Sequence, residues 1–77
     1  MALIKRYSSA RVLIELRKYK DGYHIYRKEW DRETGEFEIE SAHKKIKGLD
    51  RASKLMFEEL VYAESEGHSN FKIYSRY

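Results

Sequence analysis

Hydrophobic and polar residues alternate over residues 11–17, where Val12, Ile14 and Leu16 share one side of the alternation. A period of two is typical of a β-strand that is buried on one face only. The Asp-Gly pair at residues 21–22 comes next, and both residue types tolerate the positive φ angles of a tight hairpin turn. The pattern therefore predicts a strand that leads into a β-hairpin.

The second strand of this hairpin is predicted from residue 23 to residue 30, a segment rich in Tyr, Ile, His and Trp. The pattern does not decide which face of this strand is buried. If Ile25 faces the core, Arg27 faces the same way, and if Tyr26 faces the core, Lys28 does so. Each choice brings one cation to the edge of the core, so we leave both open.

A third strand follows the turn-rich residues 31–35, and in it Glu36, Glu38 and Glu40 alternate with mainly apolar residues. In an antiparallel pair these glutamates would face Arg and Lys of the second strand. Each such cross-strand pair contributes about 0.2 to 1 kcal/mol. We therefore expect the third strand to neutralise part of the basic surface.

One helix is predicted over residues 49–66, because neither Gly nor Pro interrupts this segment. Asp50 is a natural N-cap, and Gly67 stands where a left-handed C-cap belongs. Apolar residues at helical spacing predict a stripe that covers the sheet. The stripe consists of Leu49, Ala52, Met56, Leu60 and Ala63, and it is widened by Phe57 and Val61.

Residues 70–77 alternate again, which predicts a C-terminal strand, and residues 3–7 could add an edge strand. Because the helix intervenes, the C-terminal strand can return beside an earlier one. The predicted fold is a single α+β domain over residues 1–77. It has a small antiparallel β-sheet, formed by a three-stranded meander and the C-terminal strand, with one helix packed on one face in the order βββαβ.

The composition limits how this fold can be stabilised. In a chain of 77 residues without Cys, the core supplies about 3 to 5 kcal/mol, and no disulfide can add to it. A homodimer or another bound partner would bury more surface. The apolar run near the N-terminus is too short for a signal peptide or a membrane span, so we expect a cytoplasmic protein with no membrane partner.

Positive charge is concentrated in the first part of the chain. The formal net charge is +3, but residues 1–32 carry nine Lys or Arg and four Asp or Glu, whereas residues 33–77 carry seven and nine. Such a segment is typical either of an anion-binding surface or of a solvated surface of mixed charge.

No arrangement of residues points to catalysis. His24, His43 and His68 lack the short spacings that place metal ligands together. The glutamates lie on regular strand and helix faces, without the apolar surroundings that raise a carboxyl pKa for acid catalysis. Neither a Gly-rich phosphate loop nor a nucleophilic Ser motif occurs. We therefore expect no enzyme activity, no metal and no cofactor.

The leading functional signal is the mixture of basic and aromatic residues on the hairpin strands. Proteins that bind single-stranded nucleic acids combine a positive groove with rings on which bases stack. We therefore expect a binding module that contacts DNA or RNA mainly through phosphates and stacking, although each ring could instead belong to the core. The candidate residues are Arg11, Arg17, Tyr19, Tyr26, Lys28, Trp30 and Arg32, with Lys44, Lys45 and Lys47 as phosphate contacts.

The helix offers an alternative function. Leu55 and Tyr62 lie seven residues apart among charged side chains, and they could form a short apolar ridge that contacts a partner or a second copy of the chain. The alternative is therefore a protein-binding regulator or inhibitor of the small kind that phages and mobile elements often encode.

The hairpin resembles two DNA-binding families. Residues 23–32, with Gly35 and a similarly placed helix after them, look like the stretch around the Trp-Gly-Arg motif of WGR domains, but Asp31 stands where that motif has its Gly. The hairpin with Trp30 and Gly35 is also similar to transcriptional coactivators that bind single-stranded DNA. Those proteins end on their helix, whereas a further strand is predicted here. Both resemblances imply a DNA partner.

Overall fold

The computed structural model describes residues 2–76, which form one antiparallel sheet and one helix. The elements are β1 Ala2–Ser8, β2 Val12–Tyr19, β3 Gly22–Asp31, β4 Glu36–Ile46, α1 Leu49–Ser65 and β5 Lys72–Ser75. The strand order is β4-β3-β2-β1-β5, and all neighbouring strands are antiparallel. The predicted α+β class is confirmed. Tyr77, which the alternation placed on the last strand, lies outside the described residues.

β1 lies inside the sheet, between β2 and β5, and not at the edge where the sequence placed it. The chain crosses the sheet in α1, so that β5 returns beside β1. Ile4 and Tyr7 of β1 are buried, and they are three residues apart because the register shifts between Leu3 and Lys5. This irregularity breaks the period of two by which a strand is recognised in a sequence.

The core lies between α1 and the face of the sheet that α1 covers. Ile14 and Leu16 of β2 are fully buried there, as their alternation predicts. They pair with Arg27 and Ile25 of β3, so these two β3 residues face α1, while Tyr26 points away from it. This register decides the question that the sequence left open. We call the face of the sheet turned away from α1 the open face.

The ends of α1 are set by two glycines. Gly48 is the N-cap, with φ 89°, so the prediction of Asp50 as N-cap is wrong. Asp50 lies in the first turn of the helix, where the helix dipole favours an acidic side chain. The predicted C-cap glycine is confirmed. Gly67 has φ 99°. Its backbone N–H donates to the carbonyl oxygen of Glu64 (3.0 Å), and the N–H of His68 donates to the carbonyl oxygen of Ala63 (3.2 Å). These two hydrogen bonds form a Schellman motif.

The buried stripe of α1 is narrower than the sequence predicts. Ala52, Met56 and Ala63 are fully buried, but Phe57 is 57% exposed and Val61 is also exposed, so their predicted packing on the sheet is wrong. A helix is about 10 Å wide and strands lie about 4.8 Å apart. The helix therefore covers about two strands, β2 and β3, and its outer flank remains uncovered.

The predicted Leu55/Tyr62 ridge does not form as an apolar surface. Leu55 is half-buried and packs against the core. Tyr62 is exposed, and the guanidinium of Arg27 lies over its ring, 5.5 Å from the ring centre. Within residues 2–76, no helix is both long enough and apolar enough to cross a membrane.

Candidate functional site

The β2–β3 register brings basic and aromatic residues together on the open face. Glu15 pairs with Tyr26, Arg17 pairs with His24, and Leu13 pairs with Lys28. Directly paired residues of antiparallel strands project from the same face. The side chains of each strand point alternately to the two faces of the sheet, so the residues that do not face the core lie on the open face.

Glu15 is the centre of this face. It is 1% exposed, and its Oε2 lies 3.0 Å from Nη2 of Arg6 and 3.0 Å from Nη2 of Arg17. Its Oε1 lies 2.7 Å from Nζ of Lys28. Burial alone would raise the pKa of Glu15, but the hydrogen bonds and charges of these cations hold it below its usual range. The carboxylate is therefore ionised at neutral pH.

This cluster leaves the open face positively charged. Three cations surround one carboxylate, which gives two positive charges in excess. The three cations also retain contact with water. The side chains of Arg17 and Lys28 are 19% and 26% exposed. An anion that approaches this face therefore meets donors that are already held in place by Glu15.

A cleft of about 470 Å³ lies beside this cluster. The cleft is open to solvent. Five of the ten predicted nucleic-acid contacts line it, together with Ile39 of β4. The lining residues are Arg17, Tyr19, Tyr26, Lys28, Ile39 and Lys44.

The rings at one end of the cleft hold each other in place. The ring centres of Tyr19 and His24 are 4.2 Å apart, and Tyr26 meets Tyr19 edge-on at 6.5 Å. Nε2 of His24 lies 2.8 Å from Oδ1 of Asp21, and its Nδ1 lies 3.1 Å from the hydroxyl of Tyr26. The hydrogen bond with Tyr19 raises the pKa of Tyr26, and the bond from His24 lowers the pKa of Asp21. Tyr26 is therefore neutral at physiological pH.

A second aromatic pair lies on the same face, at the other end of β3. Trp30 pairs with Phe37 across β3 and β4, and their ring centres are 5.2 Å apart at an angle of 69°. Trp30 remains 43% exposed. The prediction that Trp30 could simply be a core residue is therefore wrong, because its ring reaches solvent.

The glutamates of β4 do not neutralise the basic face as the sequence predicts. Within the described chain, no ion pair joins Glu36, Glu38 or Glu40 to a cation of β3. Glu38 stands opposite Glu29 instead, which lies on the side of the sheet that faces α1. The acid that binds the cations is Glu15.

Besides Trp30, four predicted contacts do not line the cleft. Arg11 and Arg32 are exposed in the connections before β2 and after β3. Lys45 and Lys47 line a cavity between β4 and the start of α1. The residues of the site that sequence reasoning missed are Arg6, Glu15, Phe37 and Ile39. Of these, Glu15 had the clearest signal, since it occupies the same side of the β2 alternation as Arg17.

A second cluster lies on the side of the sheet that faces α1. Arg27 is buried and binds Glu29 at 2.6 Å and Glu66 at 2.5 Å. Burial alone would lower the pKa of Arg27, but these carboxylates raise it. One ligand atom each from Glu29, Glu66 and His68 lie within 4.8 Å of one another, a spacing that suits a metal ion. Both carboxylates already accept from Arg27, so the cation that this cluster holds is an arginine.

The open face thus combines excess positive charge, a cleft and exposed rings. No family model matches the chain, and it has no match among curated proteins or among solved structures.

Proposed function

We propose that the protein is a small non-enzymatic binding module that contacts nucleic acid through the open face of its sheet. The observation that carries this proposal is the cleft in which Arg17, Lys28 and Lys44 lie beside Tyr19 and Tyr26. Proteins that bind nucleic acid without reading base edges use the same two components, cations for phosphates and rings for bases.

Glu15 supports this role because it organises the cations without cancelling their charge. It accepts hydrogen bonds from Arg6 and Arg17 and forms an ion pair with Lys28, and guanidinium and ammonium groups of this kind are strong donors to phosphate oxygens. Cations that are held in place lose less side-chain entropy when they bind an anion. A phosphate backbone is therefore a suitable ligand for this face.

Binding of this kind depends strongly on salt. For single strands, log K falls with log [salt] by about 0.7 for each phosphate that is neutralised. With Arg17, Lys28 and Lys44 as contacts, the slope is about −2, so affinity falls about 20-fold between about 50 and 200 mM salt.

The substitution Lys44→Glu tests the proposal. Lys44 is exposed at the rim of the cleft, so its replacement should leave the fold intact. We expect it to weaken binding severalfold for all sequences alike and to reduce the salt slope by about 1. Fluorescence anisotropy with labelled oligonucleotides at several salt concentrations measures both quantities.

Lys54→Glu is the matched control, because Lys54 is exposed on α1 and the charge change is the same. If the two variants lose affinity equally, the effect reflects net charge and not the cleft. Binding that does not change with salt would contradict the proposal.

A second candidate function, a protein-binding regulator or inhibitor, is favoured by exposed apolar residues on the other side of the molecule. Phe57, Val61 and Tyr62 of α1 and Ile73 of β5 are all exposed. A protein partner that is captured after nuclease treatment and lost in Tyr62→Ala would support this function, and a homodimer remains one form that such a contact could take.

A further inference from the structure

Two aromatic groups lie on the open face at a distance set by β3. Tyr26 and Trp30 are four residues apart on this strand and project from the same face. A strand rises about 3.4 Å per residue, so their Cα atoms are about 14 Å apart. Lys28 lies between them on the same face. The order along the strand is therefore ring, cation, ring.

This spacing does not suit a duplex. Successive bases of one duplex strand are about 3.4 Å apart, and each base face is covered by its neighbours. Two rings whose Cα atoms are about 14 Å apart can each receive a base only when the bases are separated from one another. Unstacked bases of this kind are found in single strands, where aromatic side chains can stack on them.

The cations of the cleft also favour a slender ligand. Arg17 and Lys28 are less than one third exposed, and both are held by Glu15 against the sheet. The rings of Tyr19 and Tyr26 and the side chain of Ile39 line the cleft around them. A flexible single strand can bring its phosphates to these partly covered cations one at a time, whereas a stiff duplex favours cations that project fully into solvent.

We infer that the ligand of the open face is a single-stranded nucleic acid. One base stacks on Trp30, another stacks at Tyr26, and the phosphate between them binds Lys28. Arg17, which lies beyond Tyr26 along the sheet, binds the next phosphate. This inference rests on the proposed function and adds the structural class of its ligand.

The test compares a single-stranded DNA, a single-stranded RNA and a DNA duplex of the same sequence, all at about 50 mM salt. We expect the single strands to bind at least tenfold more tightly than the duplex. The chain has one Trp, so Trp30 itself reports stacking, and its fluorescence should be quenched by the single strands and not by the duplex.

Variants of Trp30 separate stacking from charge. Trp30→Ala should weaken single-strand binding by about 5-fold to 150-fold, the usual effect of losing one base stack, and should leave the salt slope unchanged. Trp30→Phe retains a ring and should recover most of the affinity. Phe57→Ala, which removes an exposed ring on α1, is the control and should bind as the unmodified protein does.

The outcomes distinguish this inference from the proposed function. If the duplex binds as tightly as the single strands, or if the single strands bind without quenching Trp30, the inference is wrong while nucleic-acid binding stands. If none of the three probes binds at low salt, both are wrong.

Discussion

Replacing Glu15 with glutamine is expected to lower the free energy of unfolding by about 3 kcal/mol, the low end of the range for breaking a buried ion pair. The carboxylate of Glu15 is buried and binds Arg6, Arg17 and Lys28. Glutamine has the same shape but leaves three cations close together without a counter-charge. The effect stays near the low end because the cations keep some contact with water. Urea denaturation at neutral pH measures it.

The pH dependence of stability provides a second readout of the same carboxylate. The pKa of Glu15 in the folded protein is below its ordinary value of 4.5, so the stability that it contributes is present above pH 4.5 and is lost as the pH falls through the lower folded pKa. The difference in stability between the unmodified protein and Glu15→Gln should therefore shrink on acidification.

Glu38→Gln is the matched control for this substitution. Glu38 is exposed on β4, and its replacement should change stability by less than about 0.5 kcal/mol. Equal stability of the Glu15 and Glu38 variants at neutral pH would show that the cation cluster does not hold the open face together.

The free energy of unfolding should fall much more when Met56 is replaced by Ala than when its neighbour Phe57 is. Met56 of α1 is fully buried, and Met56→Ala is expected to cost about 2 to 5 kcal/mol, because it removes buried apolar surface and leaves a cavity. Phe57→Ala should cost less than about 1 kcal/mol, because most of its side chain is already in water. Because the loss for Met56→Ala is comparable with the whole stability expected of this core, circular dichroism without denaturant shows whether that variant still folds, and denaturant unfolding measures Phe57→Ala. A larger loss for Phe57→Ala would mean that α1 is rotated relative to the described packing.

The hairpin could be predicted from the sequence because its signals are local. The alternation of β2 identifies Ile14 and Leu16 as core residues, and both are fully buried. The Asp-Gly pair identifies the turn, and β2 and β3 pair across it without a register shift. The same alternation places Arg17 on the side of β2 opposite the core, whereas the face of Tyr26 and Lys28 is decided by the β2–β3 register.

The packing of α1 could not be predicted because it depends on the sheet. The helical spacing of Phe57 and Val61 is compatible with burial. Which flank of α1 is buried depends on how the helix lies across the sheet, and the sequence of the helix does not contain that information. The inner position of β1 is non-local in the same way, because it depends on where β5 returns after the helix.

The charge pairing on β4 could not be predicted because it depends on the turn before that strand. The turn sets Asp31 opposite Glu36, so the glutamates of β4 fall on the face turned toward α1. A further register shift near Arg27 places Ser41 opposite this arginine, and Glu40 has no direct partner. A turn of different length would have placed these acids against the basic face.

Single-strand binding by the open face is tested most directly by an NMR titration of the isotope-labelled protein with a short single-stranded oligonucleotide at low salt. We expect the largest chemical-shift changes to cluster at Arg17, Tyr26, Lys28 and Trp30, with little change along α1, and to reverse when salt is added. Changes confined to the exposed flank of α1 around Phe57, or no changes at millimolar oligonucleotide, would contradict binding at the open face.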